Sequence, residues 1–376
     1  MSAIRVALVG PSFPPQVGGV ELHLQRLANE LARLGCEVEV LVQWRHDDVE
    51  VESLQLLESG VIVRWFPSRT HSHRFPVAPS LVRHLIRNAN RFDVIHGHSF
   101  HAVPGPLAAL LTDRPFVFTP HYHGGGHTGA ARTLHRVYAP IARRCFERAA
   151  TVICNSRHER DSVAAEFSVG PDRLRVVYPG IDIDEIVAAE AYDVDVPVVL
   201  MAGRIESYKQ IELGVRAIGA SRDASRLVVL GDGPDLGRLR ALAEERGAHE
   251  RVVFRGRVST EEVRRWQTTA SVVLSLSRHE AFGLALLEGV AAGARAVASD
   301  IPAHREVASL TPASTRFVDV DATPEEVAVA IAGQLERPRP HRGGDGYPTW
   351  RGLAEGCLGV YEDALSRSVP TGDRAA

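Results

Sequence analysis

Two glutamates, Glu280 and Glu288, close a Glu-x₇-Glu segment in the run His279-Glu280-Ala281-Phe282-Gly283-Leu284-Ala285-Leu286-Leu287-Glu288-Gly289. The run follows an apolar strand candidate, Ser271 to Leu274, so Glu280 falls on the loop at the strand's end and Gly283 sits where the next helix opens. Glycine there lets a ligand approach the backbone, and a helix N-terminus offers N–H donors to phosphate. Glu288, about a turn and a half into that helix, projects a second carboxylate toward a neighbouring diol. Two carboxylates flanking an anion-binding turn suit a nucleotide sugar.

The cationic half of such a site stands elsewhere in the chain. Lys209 is the one lysine among 43 basic residues, in Met201-Ala202-Gly203-Arg204-Ile205-Glu206-Ser207-Tyr208-Lys209. An apolar run, Val198 to Met201, gives way there to a helix expected to start near Lys209. Strand ends that feed helix N-termini are where open α/β sheets bind anions. Arg204 and Lys209 add two formal positive charges, a planar fork and a compact point charge. A diphosphate fits between them.

The elements that must position these residues read as parallel βαβ units, because short β-rich runs alternate with helical patterns. Strands are expected at Ile4 to Val9, Glu37 to Val42, Val61 to Trp65, Asp93 to His96, Pro115 to Thr119, Thr151 to Cys154 and Leu174 to Tyr178. Val20 to Leu34 carries Leu24, Leu27, Ala28 and Leu31 at helical spacing and stops at Gly35. Pro179-Gly180-Ile181-Asp182 then opens a loop to about Val196, the expected domain boundary. A second series of strands follows at Val198 to Met201, Arg226 to Leu230, Val252 to Phe254, Ser271 to Leu274, Ala296 to Ala298 and Thr315 to Val318. After a Pro/Arg/Gly-rich stretch from Arg337 to Gly346, a last helix is expected from Pro348 to Leu365. The expected architecture is two Rossmann-like parallel-sheet domains facing across a cleft, residues 1–183 with a C-terminal helix 348–366, and residues 196–340. Ligands of such folds gather at the carboxyl ends of the strands.

Composition agrees with an ordinary globular enzyme. With 376 residues, 45% hydrophobic and 24% charged, the chain can bury two cores. A net charge of −3 with interspersed signs gives no nucleic-acid-binding field. Cys36, Cys145, Cys154 and Cys357 form no Cys-x-x-Cys pair, which points to reduced thiols and away from structural zinc. A first strand starting by Ile4 leaves no room for a signal peptide, and no apolar run has the length to cross a bilayer, so the expected location is the cytoplasm.

With these motifs placed, the chain resembles the GT-B glycosyltransferases, specifically the retaining group called glycosyltransferase family 4. The resemblance runs over nearly the whole chain. It rests on Pro14-Pro15-Gln16-Val17-Gly18-Gly19-Val20-Glu21, the Arg204/Lys209 pair, Gly231-Asp232-Gly233-Pro234, Val253-Phe254-Arg255-Gly256, the Glu-x₇-Glu segment, and Ser299-Asp300-Ile301-Pro302 through Glu306. It implies that Arg204 and Lys209 contact the donor diphosphate and Glu288 the donor ribose. Glu280, with the backbone around Phe282, Gly283 and Leu284, would hold the transferred sugar, and Gly18 and Gly19 would form a loop approaching donor phosphate or acceptor. His121, in Phe118-Thr119-Pro120-His121, matches the family position that reaches the transferred sugar. The implied partners are a nucleoside diphosphate sugar, with UDP or GDP, and an acceptor bound mainly by the first domain. That acceptor is a small molecule, a glycan or a lipid, and neither it nor the oligomeric state is read from the residues. Another GT-B activity, such as a nucleotide-sugar epimerase, or a nucleotide-sugar-binding subunit stays open beside transfer.

Departures from the pattern are also visible. Gly293-Ala294-Arg295-Ala296 stands where the family usually has a Gly-x-Pro-Val turn, and Gln210 where many members carry glycine. Gly231-Asp232-Gly233-Pro234 lacks the third glycine of a dinucleotide fingerprint. His121, His123 and His127 around Gly124-Gly125-Gly126, or His96, His98 and His101, could be read as metal ligands. The expectation is nevertheless no metal and no cofactor, since the resemblance supplies basic residues to neutralise the leaving group, and the triglycine looks like an acceptor loop. Pro79 to Phe92 sets Leu81, Val82, Leu85 and Ile86 among Arg83, His84, Arg87 and Arg91. Packing of its apolar face on the sheet is favoured, with peripheral membrane contact as the alternative.

Overall fold

The computed structural model describes residues 3–16, 18–44, 53–68, 78–122, 143–311 and 315–368. The chain divides into two compact units, one running to Gly180 and taking back the segment from Trp350, the other Ile181–Thr349.

The first unit is built on an eight-stranded sheet. Its strands are β1 (Arg5–Gly10), β2 (Glu37–Trp44), β3 (Ser53–Leu56), β4 (Ile62–Pro67), β5 (Val94–His98), β6 (Phe116–Thr119), β7 (Thr151–Cys154) and β8 (Leu174–Val176), in the order β3-β4-β2-β1-β5-β6-β7-β8. The central strands are continuous apolar runs, such as Val6-Ala7-Leu8-Val9, because helices cover both faces and none of these four residues meets water. The helix Gly19–Arg33 buries Leu24, Leu27, Ala28 and Leu31. It stops where Gly35 turns to φ +92° and the Cys36 N–H reaches Leu31 O at 3.0 Å, satisfying a carbonyl that the helix leaves open. The last helix, Trp350–Ser368, packs beside it and buries Tyr361, whose hydroxyl lies 2.7 Å from His96 Nδ1.

Two features differ from the sequence expectation. β3 was not anticipated: it pairs antiparallel with β4 at the sheet edge, and all four residues are exposed, so no alternation marks it. The loop after Gly180 contains a short helix, Ile183–Ala188. In the helix Pro79–Asn88, Leu81 and Leu85 enter the core and Ile86 stays 62% exposed among arginines. That is sheet packing by a narrow apolar stripe. No described helix is long and apolar enough to cross a membrane. All four cysteines are buried free thiols.

The second unit carries six parallel strands: β9 (Val198–Ala202), β10 (Arg226–Leu230), β11 (Val252–Gly256), β12 (Val272–Ser275), β13 (Arg295–Ser299) and β14 (Thr315–Val318). Their order is β11-β10-β9-β12-β13-β14. The chain therefore builds outward from β9 in one direction and then restarts at β12 in the other. This switch point leaves the loops after β9 and β12 side by side without a crossover between them, which is where open α/β sheets take ligands. Lys209 follows β9 and Glu280 follows β12. Helix N-termini are set by capping boxes at Ser259/Glu262 and Thr323/Glu326, where each hydroxyl accepts from the glutamate's N–H and each carboxylate reaches back. The turn at Gly293 forms without the proline of the related pattern: φ is +84°, and the Gly293 and Ala294 N–H groups donate to Val290 O (2.9 Å) and Gly289 O (3.0 Å).

Candidate active site

The loop after β9 is shaped by glycines. Gly203 takes φ +138°, and its N–H donates to Leu230 O at 3.0 Å, while the Ile205 N–H donates to Asp232 O at 2.9 Å. A Cβ on Gly231 would run into Gly203 O, and one on Gly233 into Ile205 O. Gly231-Asp232-Gly233 thus serves close backbone approach, buttressing the segment that carries Arg204. Arg204 is 66% exposed, with its guanidinium 2.7 Å from Glu206.

Lys209 closes a single 3₁₀ turn, Ser207–Lys209, rather than opening the helix, which starts at Ile211. Between them Gln210 adopts φ +49°, the left-handed conformation that glycine enters most cheaply. This accounts for glycine at that position in the related pattern. Here glutamine supplies contacts in its place: with its amide nitrogen turned toward Leu276 O (2.6 Å), its oxygen accepts from Arg278 (3.0 Å). The Arg278 N–H also donates to Tyr208 O at 2.9 Å, and the Tyr208 and His279 rings stack at 4.5 Å. The loops after β9 and β12 are therefore laced together.

Their lacing brings Lys209 Nζ to 2.5 Å from Glu280 Oε1, which also accepts from Ser277 Oγ at 2.7 Å. The side chains are 21% and 14% exposed. Burial alone would raise the Glu280 carboxyl, but the Lys209 ammonium and the two hydrogen bonds hold it below the usual carboxylate range. Burial likewise opposes the Lys209 charge, and Glu280 more than offsets it, so the ammonium titrates above its ordinary value. Glu280 Oε2 has no hydrogen-bond partner among the described residues. Behind the pair, His304 is fully buried, and burial lowers its pKa. Its Nδ1 faces Ser299 O and its Nε2 Ser275 Oγ, both at 3.0 Å, which fits a neutral ring protonated at Nδ1.

Gly283 takes φ +113° and precedes the helix Leu284–Ala291, whose N-terminus no side chain caps. Phe282 is buried. Further along that helix both Glu288 oxygens are engaged: Arg264 Nη1 donates to Oε1 at 2.7 Å and Gln267 Nε2 to Oε2 at 2.9 Å. The second unit thus gathers Arg204, Lys209, Glu280, Phe282, Gly283, Leu284 and Glu288 at adjacent strand ends and one helix start.

The first unit places the remaining candidates. Gly18 is the N-cap of the helix Gly19–Arg33, in extended conformation at φ −174°, with the Glu21 carboxylate folded over it and bonded to Ser12. Gly19 faces open space. His121, just beyond β6, holds φ +48°, unusual for a side chain of its size. Asn155 Nδ2 lies 3.2 Å from its Nδ1 and His98 Nδ1 3.4 Å from its Nε2. Glu159, completely buried, anchors the backbone around it, accepting from the Tyr122 and Asn155 N–H groups at 2.5 Å each.

Among the described residues, the imidazoles brought within ligand reach of one another are His23, His98 and His121, a different trio from either grouping suggested by spacing in the sequence, with one nitrogen of each all within 4.8 Å. Nitrogen ligands on a tetrahedral zinc at 2.0–2.1 Å stand about 3.4 Å apart, the spacing of His98 Nδ1 and His121 Nε2, while the trio as a whole spans up to 4.8 Å. His96 is tied instead to Tyr361 and Thr119. His123, His127 and the triglycine 124–126, read as an acceptor loop, lie outside the described residues.

Residues 17–185 match the description Glycosyltransferase Family 4, and residues 182–342 match Glycosyl transferases group 1. A GDP-mannose:cellobiosyl-diphosphopolyprenol alpha-mannosyltransferase of Xanthomonas oryzae pv. oryzae is 30% identical over 317 residues, covering 81% of each chain. A D-inositol 3-phosphate glycosyltransferase of Acidothermus cellulolyticus is 28% identical over 420 residues, covering 96% of this chain and 91% of its own. Among solved structures, Anabaena HepE in complex with UDP-glucose superposes with a TM-score of 0.68 at 18% identity, covering 96% and 95% of the two chains. The chain belongs to the glycosyl transferases group 1 family, with the two-domain GT-B fold. It is a glycosyltransferase.

Several residues of these sites were not found from sequence. Ser277 falls between the strand Ser271 to Leu274 and the run from His279, and His304 lies inside the stretch Ser299 through Glu306, but neither carries a spacing signal of its own. Glu159 did leave one, Ser156-x-x-Glu159, the pattern of a capping box, and Ser156 Oγ does accept from the Glu159 N–H at 2.9 Å. Arg264 and Gln267 left none, since polar residues in Thr260–Thr269 read as a solvated face although both are buried.

Proposed function

We propose that the protein transfers a hexose-type sugar from a UDP- or GDP-sugar to a small-molecule, glycan or lipid acceptor, with retention of anomeric configuration and without a metal. The observation that carries this reading is the Lys209–Glu280 pair, 2.5 Å apart at the switch point of the second sheet, beside the uncapped helix start at Gly283. Cleavage of the bond from anomeric carbon to diphosphate puts negative charge on the leaving group and oxocarbenium character on the sugar. The Lys209 ammonium has three N–H donors. One meets Glu280, and the others serve the departing phosphates together with Arg204 and the backbone N–H groups after Gly283. Each preorganised donor of this kind contributes about 3 kcal/mol, roughly a hundredfold in rate.

Glu280 holds Lys209 in place through Oε1 and offers Oε2 to a sugar hydroxyl. A glycosidase-type acid role would require a partner carboxylate across the scissile bond, and Glu288 is already committed to Arg264 and Gln267. Its outer lone pairs serve the donor ribose. His121 is assigned to the transferred sugar, as the resemblance implies, and Gly18 and Gly19 to a loop against donor phosphate or acceptor. The relatives named above use a diphosphopolyprenol-linked and an inositol phosphate acceptor, both of which fall within the proposed acceptor classes.

The test is incubation with a panel of UDP- and GDP-hexoses, with released nucleoside diphosphate measured and the product's anomeric proton read by NMR. Release from at least one donor, and a product with the donor's anomeric configuration, are expected. No release from any donor, or an inverted product, refutes the reading.

A further inference from the structure

Arg264 is the least exposed guanidinium of the second unit's ion pairs, 6% exposed, and it touches three carboxylates. Nη1 donates to Glu288 Oε1 at 2.7 Å and to Gln267 Oε1 at 3.0 Å, Nη2 donates to Asp182 Oδ2 at 3.0 Å, and Nε lies 3.7 Å from Glu185 Oε2. Gln267, itself held by Arg264, passes its own N–H to the other oxygen of Glu288 at 2.9 Å. A glutamate on an open helix face rotates about three single bonds. This one is gripped at both oxygens from below, so its carboxylate plane is fixed, and 13% of the side chain remains exposed. Each carboxylate oxygen has a second lone pair, and those two point where the first two donors do not.

We infer that Arg264, with Gln267, is a positioning residue that presents Glu288 as a bidentate acceptor for a vicinal diol, making the site selective for ribonucleoside over 2′-deoxyribonucleoside diphosphates. The inference rests on the reading that Glu288 meets the donor ribose. A ribose offers two hydroxyl donors to the two oxygens, and a 2′-deoxyribose offers one. Without Arg264, the cation that Glu288, Asp182 and Glu185 share is gone, and Glu288 would swing away. Lysine keeps the charge but not the fork, so it cannot hold Glu288 and Asp182 at once.

The experiment is calorimetric titration of the full-length protein with UDP, GDP and their 2′-deoxy forms. For the base that binds, the wild type should prefer the ribonucleotide by about tenfold or more, the scale of a hydrogen bond to a charged group. Arg264→Met and Arg264→Lys should reduce the preference to about threefold or less, with the larger loss falling on the ribonucleotide, which gives up two hydrogen bonds to Glu288 where the 2′-deoxy form gives up one. A purely structural role would weaken both ligands alike and so overturn the inference. Glu288→Ala should also abolish the preference. If Glu288→Ala loses it while Arg264→Lys and Gln267→Met keep it, the inference fails and the ribose reading stands. If Glu288→Ala keeps it, both fall. Circular dichroism checks each fold, and should Arg264→Met not fold, Arg264→Lys and Gln267→Met decide.

Discussion

Lys209→Ala is expected to lower the stability of the second unit by about 3–5 kcal/mol, the cost of leaving one member of a buried ion pair alone. The carboxylate left behind is 14% exposed and keeps only the Ser277 hydroxyl as an observed partner. Adding Glu280→Gln should recover part of the loss, because the stranded charge is then gone. The pair also sets a pH profile. Glu280 titrates below its ordinary 4.5 when folded, so its contribution is complete above that value and fades as pH falls through the lower folded one. Lys209 titrates above 10.5 when folded, so its contribution is complete below that value and fades as pH rises through the higher one. Denaturation of wild type and variant should therefore differ most on the plateau between these limits and converge at both ends. A difference that grows on acidification would contradict the assignment.

Glu159→Ala is the second large effect, in the first unit. It strips the acceptor from two buried N–H groups, those of Tyr122 and Asn155. An unsatisfied buried donor costs about 1–3 kcal/mol, so the pair costs about 2–6 kcal/mol, a large share of the 5–15 kcal/mol typical of a domain. Tyr122 follows His121, whose positive φ must be held by its surroundings. Thermal denaturation should show the midpoint falling, and turnover of the folded fraction should fall with it. Glu159→Gln, which restores one acceptor, should land between. Equal midpoints for wild type and Glu159→Ala would show that the two N–H groups find other partners.

The strands were legible wherever they are buried on both faces, because Val/Ile/Leu runs between turn signals have few other uses. The edge strand Ser53–Leu56 was not, since nothing covers it and its residues have no face to declare. At the site, charge and glycine carried the signal. Arg204, Lys209 and Glu280 follow strand ends and Glu288 lies in the helix after Gly283, places where a sequence reader expects ionised residues to serve a ligand, and Gly283 takes a φ that other residues enter at a cost. What sequence could not show is how the charges neutralise one another before a ligand arrives. The Lys209–Glu280 contact joins loops on neighbouring strands, and its partners are fixed by the order β9-β12 rather than by spacing along the chain. Arg264 escaped for a related reason. A polar residue inside a helix announces nothing until tertiary packing buries it, and only then does its need for carboxylate partners show.

The central claim is that Lys209 neutralises the departing diphosphate, and the most direct measurement is kcat for nucleoside diphosphate release from the donor sugar found active in the panel, at saturating concentration. Lys209→Ala and Lys209→Arg should both fall by about a hundredfold or more, the arginine because a planar fork does not occupy the place of a point charge beside Glu280. Turnover of folded Lys209→Ala equal to that of the wild type would contradict the account.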